Sequence, residues 1–245
     1  MIARASRIVA SFLLAMAAAT GSACRDSHAD DKPAQRFEHD VLVRFHMHES
    51  YDLYGAIERL LIRGKLDDAR DLARSIGRAP DEAGMAPFQT QSALVRTRAM
   101  AVADATTLDE ATRRTATLAA ACAGCHVDTN AVPELRTSPP VPADRHDVPS
   151  RMARHLWAIA RVHEGMIAGV DEPWRSGLDV LAEAPLPWPS EDRARAQLAQ
   201  RLHDVAARAK HRVSASSDDR AVSYGELLAT CAGCHTTPGS PPRTP

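Results

Sequence analysis

The pentapeptide Cys122-Ala123-Gly124-Cys125-His126 recurs as Cys231-Ala232-Gly233-Cys234-His235, an offset of 109 residues. The same offset carries His46 onto His155, so 80 residues separate His46 from His126 and 80 separate His155 from His235. Leu72, Ala73 and Ile76 match Val180, Leu181 and Ala184 at an offset of 108, which implies a small compensated indel. Matches at a fixed offset indicate tandem duplication of a unit of about 90–100 residues. The expected organisation is an N-terminal unit over 36–129, a linker over 130–147, a C-terminal unit over 148–236 and a polar tail over 237–245. The linker carries Pro133, Pro139, Pro140 and Pro142 and lacks apolar periodicity.

Each unit reads as four helices. Leu42, His46, Glu49, Leu53, Ile57 and Leu60 fall at spacings of three and four, the stripe of an amphipathic helix that Gly64 ends. Helices follow over 66–76, about 88–103 and from about 107, the last with Leu108, Ala111, Thr115, Leu118, Ala119 and Cys122 on one face. In the second unit the equivalents span about 149–170, 174–184, 190–212 and 217–231. Four helices on short loops favour an up-down-up-down bundle, so the expected fold class is all-α, two tandem four-helix bundles. The composition agrees: 45 alanines and only 4% aromatic residues favour helices and leave few large side chains for a core.

The chain begins with Arg4 and Arg7 and then an uncharged apolar run over 8–19, the pattern of a secretory signal peptide ending near residue 23. The run falls short of the roughly 20 residues of a membrane span. Gly21-Ser22-Ala23-Cys24 is a candidate lipoprotein box, with Gly21 where an aliphatic residue is usual; cleavage after Ala23 or Ala29 is the alternative. The expectation is an exported, periplasmic protein, attached to the membrane only if Cys24 is lipidated. With 30 Lys+Arg against 31 Asp+Glu, the chain lacks the basic excess of a nucleic-acid binder.

In Cys-x-x-Cys-His, two thiols can form thioethers with the vinyl groups of one haem, and the adjacent imidazole is set beneath the iron. Two such motifs predict two covalent c-type haems, on Cys122 and Cys125 with His126, and on Cys231 and Cys234 with His235. A zinc site would have to gather both cysteine pairs and leaves the histidines unexplained. A thioredoxin-like pair wants an alternating strand–helix context, which is not visible here.

With the motif at the end of the fourth helix, each half resembles the helical-bundle c-type cytochromes of the cytochrome c-prime type. The resemblance implies one haem per half, with the attachment roles on the two cysteine pairs and on His126 and His235. The chain departs from the common form in its duplication and in its first-helix histidine. In an up-down-up-down bundle the end of helix four lies beside the start of helix one, so His46 and His155 are expected as the distal ligands. A histidine merely packed near the pocket, or methionine ligation, remains open. His163, which the repeat aligns with Tyr54, is expected to face inward. The expected activity is one-electron transfer between periplasmic or membrane-bound redox proteins. A binder of NO, CO or O₂, or a peroxidase-like enzyme, is the alternative; no acid–base constellation marks an enzyme, and no catalytic residue is assigned.

Overall fold

Among the described residues of the computed structural model (33–80, 83–131, 133, 138–183, 185, 192–211 and 216–237) the chain is all-helical, without a strand. The helices are α1 Pro33–Ile62, α2 Leu66–Gly77, α3 Gln89–Ala103, α4 Leu108–Asp128, α5 Val148–Ala168, α6 Asp171–Leu181, α7 Arg193–Lys210 and α8 Ser217–Thr236. A short 3-10 turn, Ala83–Phe88, leads into α3. The expected leader, Cys24, Trp188 and the tail beyond Thr237 lie outside the described residues. No described helix is long and apolar enough to cross a membrane.

Side chains at the helix starts set their boundaries. Thr107 accepts from the Glu110 amide at the start of α4, and Asp147 accepts from the Ser150 amide at the start of α5. Ser216 and Asp219 form a reciprocal capping box on α8. Two starts differ from the sequence reading. α6 begins at Asp171 rather than Trp174, because Asp171 and Glu172 complement the positive end of its dipole and Pro173 is tolerated in a first turn. α7 begins at Arg193, where the Asp192 side chain accepts from the Arg195 amide.

The closest packing between the halves joins α4 to α8. A Cβ at Gly225 would stand 3.1 Å from Arg113 Cα and 3.5 Å from Ala116 Cβ, so the crossing depends on small residues. The repeat offset carries Ala116 onto Gly225, and these equivalent positions meet. The direction follows from α5: His126, near the end of α4, reaches the Ile167 carbonyl, while Arg220, near the start of α8, reaches the Val170 carbonyl. The end of α4 and the start of α8 therefore share one end of the molecule, and the two helices run antiparallel. Buried residues of both halves form one continuous cluster, from Ile57, Val102 and Leu118 to Val162, Leu178, Tyr224 and Leu227.

The apolar stripe of α1 is covered only in its second half. Ile57 and Leu61 are fully buried, but Leu42 is 53% and Phe45 67% exposed, and Glu49 is exposed as well. α1 has 30 residues against 21 in α4, so about 45 Å of helix runs past a partner of about 32 Å.

Gly225→Val should overpack the α4–α8 crossing and cost about 2–3 kcal/mol. A urea titration should show a lower midpoint with an unchanged slope.

Candidate functional site

Cys122, Cys125 and His126 occupy the last turns of α4, and Cys231, Cys234 and His235 the last turns of α8. On an α-helix, spacings of three and four bring all three side chains to one face. All four motif cysteines are thiols rather than disulfides. Burial pushes the Cys122 thiol up to about 12, and burial also raises Cys125 and Cys234. A redox-active cysteine pair of the thioredoxin kind needs the opposite, a thiol whose pKa is lowered. The antiparallel crossing sends the two motifs to opposite ends, roughly 20–25 Å apart along the helices, so the two cysteine pairs do not come together. Among the described residues no group of three or more His, Cys, Asp or Glu is placed to hold a metal ion.

His126 is positioned by the other half. Its Nδ1 lies 3.0 Å from the Ile167 carbonyl oxygen at the end of α5. Burial lowers the His126 pKa, favouring a neutral ring, and a neutral ring facing a carbonyl must carry its proton on Nδ1. Nε2 then keeps its lone pair, the arrangement in which a histidine serves as a metal ligand. The Ile167 carbonyl is available because α5 stops just beyond it. Gly169 adopts φ +69 and the Val170 amide bonds back to the Gly165 carbonyl, leaving late carbonyls without helical partners. Gly169 also packs on the motif itself: a Cβ there would stand 3.3 Å from the Ala123 carbonyl and 3.1 Å from Val127.

The end of α1 repeats this device. Gly64 has φ +72, the Lys65 amide bonds to the Leu60 carbonyl, and Gly64 packs against Thr236 at the end of α8. The offset of 109 carries Val127 onto Thr236, so each first helix ends against the attachment motif of the opposite half. Beside the second motif, Arg195 donates to the Thr237 carbonyl at 3.2 Å and pairs with Asp192.

The two first-helix histidines lie at heights along the helices that match their motifs. α5 and α8 are antiparallel, since Arg220 meets Val170 while Tyr224 meets His163 further along. His155 lies eight residues before His163, and Cys231 to His235 lie seven to eleven residues after Tyr224. Both intervals are about 10–16 Å, which puts His155 level with the second motif. His155 is 8% exposed and lines a cleft with Arg151, Arg154, Leu202 and His203. In the first half, the Tyr54 hydroxyl donates to the Thr115 carbonyl, and the same count places His46 level with Cys122 to His126. His46 is half-buried, with Nε2 3.5 Å from Ser50 Oγ one turn on.

The donor set fits a covalently attached haem: two thiols one turn apart, and an imidazole whose Nδ1 is tied so that Nε2 is the coordinating atom. Sequence reading missed the carbonyl that holds His126. The recurrence of glycine at 64 and 169, each ending the first helix of its half, was the available signal. It also missed Glu58, which lies behind His163. Of the remaining histidines, His48 and His211 are exposed, as expected of surface residues, while His203 lines the His155 cleft. The side chain of His39 lies outside the described ones.

Gly169→Ala should cost about 1–2 kcal/mol through its left-handed backbone alone. It should also shift the Ile167 carbonyl, so that nitrogen-15 NMR of the cofactor-free chain shows loss of the single Nδ1–H form of His126. A second outcome concerns pH. An unfolded thiol ionises near 8.5, whereas Cys122 in the fold holds its proton to about 12. The unfolded chain binds fewer protons in that interval, so the cofactor-free protein should lose stability as pH rises from about 8.5 toward 12. Thermal melts across this range should show a smaller decline for Cys122→Ala, the remainder coming from Cys125, Cys234, Tyr54 and Tyr224.

Comparison with protein-family models, curated proteins and solved structures finds no match to this chain. The functional reading therefore rests on the geometry of the two motifs.

Proposed function

We propose that the chain is an exported dihaem c-type cytochrome, a duplicated four-helix-bundle protein that passes single electrons between periplasmic or membrane-bound redox proteins. The observation that carries this reading is the His126 imidazole. It stands on one helix face with two thiols, and a backbone carbonyl presets its tautomer. When bound, haem supplies a one-electron redox couple whose potential depends on axial ligands and burial.

The chain's own residues do the rest. Cys122 with Cys125, and Cys231 with Cys234, anchor one haem each. His126 and His235 supply the proximal nitrogen. His46 and His155, level with the motifs along their helices, would serve as the distal ligands and so keep small molecules from the iron. The exposed apolar face of α1 at Leu42 and Phe45 lies level with the first motif and suits an apolar macrocycle. Arg151 and Arg154, which line the His155 cleft, would hold the propionates of the second haem by exchanging their present partners Asp144 and Glu183. The signal-like leader supports assembly outside the cytoplasm, and lipidation at Cys24 would tether the carrier to a membrane.

A pyridine haemochrome assay with intact mass should give two covalent haems per chain, and the Cys122→Ser/Cys125→Ser variant one. The reduced protein should bind no carbon monoxide rapidly, while His46→Ala and His155→Ala should each open one equivalent. Rapid stoichiometric binding by the unaltered protein would instead favour a ligand binder or a haem enzyme.

A further inference from the structure

Where α1 crosses α5 and α8, a carboxylate is buried among aromatic rings. Glu58 is 7% exposed. The Tyr224 hydroxyl donates to its Oε1 at 2.6 Å, and His163 Nδ1 lies 2.6 Å from its Oε2. Tyr51 and Tyr54 lie against the same imidazole, with ring centroids at 5.0 and 5.5 Å. Burial first, and the Glu58 charge next, hold Tyr54 and Tyr224 well above the usual phenol range, so both remain protonated donors.

The titratable and charged groups around His163 are Tyr51, Tyr54, Glu58 and Arg59 from α1 and Tyr224 from α8; Arg59 and His163 both come close to Gly55. α4 contributes the Thr115 carbonyl, which Tyr54 occupies. On α8, Arg220 is tied to Asp171 and lies over the Trp174 ring. The fold does not call for ionisable groups at this point, since apolar residues fill the surrounding core and a buried ion pair is weak support for stability. Neither attachment motif uses them. Yet the cluster sits between the motifs: Thr115, which Tyr54 bonds, lies seven residues before Cys122 on α4, and Tyr224 lies seven residues before Cys231 on α8. From His163 back to His155 is eight residues, about 12 Å. The His163 side chain keeps 11% of its surface exposed, a route for protons to and from water.

We infer that Glu58, His163 and Tyr224 form a proton-binding site whose occupancy is linked to the redox state of the two flanking haems. This rests on the dihaem reading. With haem bound, an electron from a one-electron donor protein would enter together with a fraction of a proton taken from solvent onto the His163–Glu58 pair. On oxidation both leave, and no other bond is made or broken. At an effective dielectric of about 20, a unit charge about 12 Å away changes a proton affinity roughly tenfold. Reduction of each haem at that distance would therefore tighten proton binding roughly tenfold.

The test is potentiometry of the full haem-loaded protein between about pH 5 and 8, the range in which histidine changes charge. The midpoint potential should fall as pH rises, by about 59 mV in all, the one-electron equivalent of a tenfold change. His163→Gln and Glu58→Gln should flatten this dependence while both haems stay attached. Tyr224→Phe keeps the packing but withdraws one donor from the Glu58 carboxylate. The proton is then held more tightly, and the sloping region should move to higher pH. A flat profile in the unaltered protein overturns the inference, as does an unchanged slope in all three variants, which would place the titrating group on the propionates. Either result leaves the dihaem reading intact. A chain that carries no covalent haem overturns both.

Discussion

The antiparallel crossing of α4 and α8 is the constraint from which the remaining geometry follows. Both helices carry a Cys-x-x-Cys-His motif near their C-terminal ends, and their close approach requires Ala116 and Gly225 at the crossing. Antiparallel helices that meet at equivalent positions must send equivalent ends apart. The two attachment sites are therefore held far from each other by the element that joins the halves. The alanine-rich composition has its physical use here: Ala116, Ala119, Ala120 and Ala123 are buried on α4, where longer side chains would force the backbones apart.

The crossing also decides which residues orient which motif. Because the end of α4 lies with the end of α5, His126 takes its carbonyl partner from the second half rather than the first. The glycine that terminates α5 frees that carbonyl, so a helix-stop signal also positions the His126 ring. Gly64, at the end of α1, packs in the corresponding way against the end of α8. Two tandem units with separate cores would each have to supply these contacts internally. With one continuous core, each half completes the other, and the motif of one half is sensitive to substitutions in its partner.

What the sequence disclosed, and what it hid, divides along the range of the interactions. Helix positions followed from local signals such as the start at Thr107 and the end at Gly64, whereas the caps at Asp147 and Ser216–Asp219 and the stop at Gly169 emerge only in the fold. The motif histidines and cysteines were legible because their chemistry fixes their spacing. Partners more than a hundred residues away were not. Glu58 lies one position from Ile57 on a stripe that reads as amphipathic, and only the fold reveals that it meets His163 and Tyr224. Periodicity likewise overstated the burial of α1. The stripe at Leu42 is as regular as that at Ile57, but periodicity records which face is apolar and not whether anything covers it.

The scarcity of aromatic residues sharpens the case for the cluster at the centre. The chain has three tyrosines, and all three, Tyr51, Tyr54 and Tyr224, lie in contact with His163. Trp174 stacks edge-on against Tyr224 at 6.3 Å, so the tyrosine beside the carboxylate is itself clamped from α6. A core assembled mainly from alanine, valine and leucine could have closed this point with aliphatic side chains at lower desolvation cost. Instead the phenols gather around one imidazole and one carboxylate. Two of the phenols are buried donors that remain protonated, and the imidazole retains a path to water. Such a site can hold or release a proton without repacking its surroundings, because donors already in place solvate either form of the carboxylate–imidazole pair. Its position between two motifs about equally distant from it is the geometric ground for linking it to both ends of the molecule.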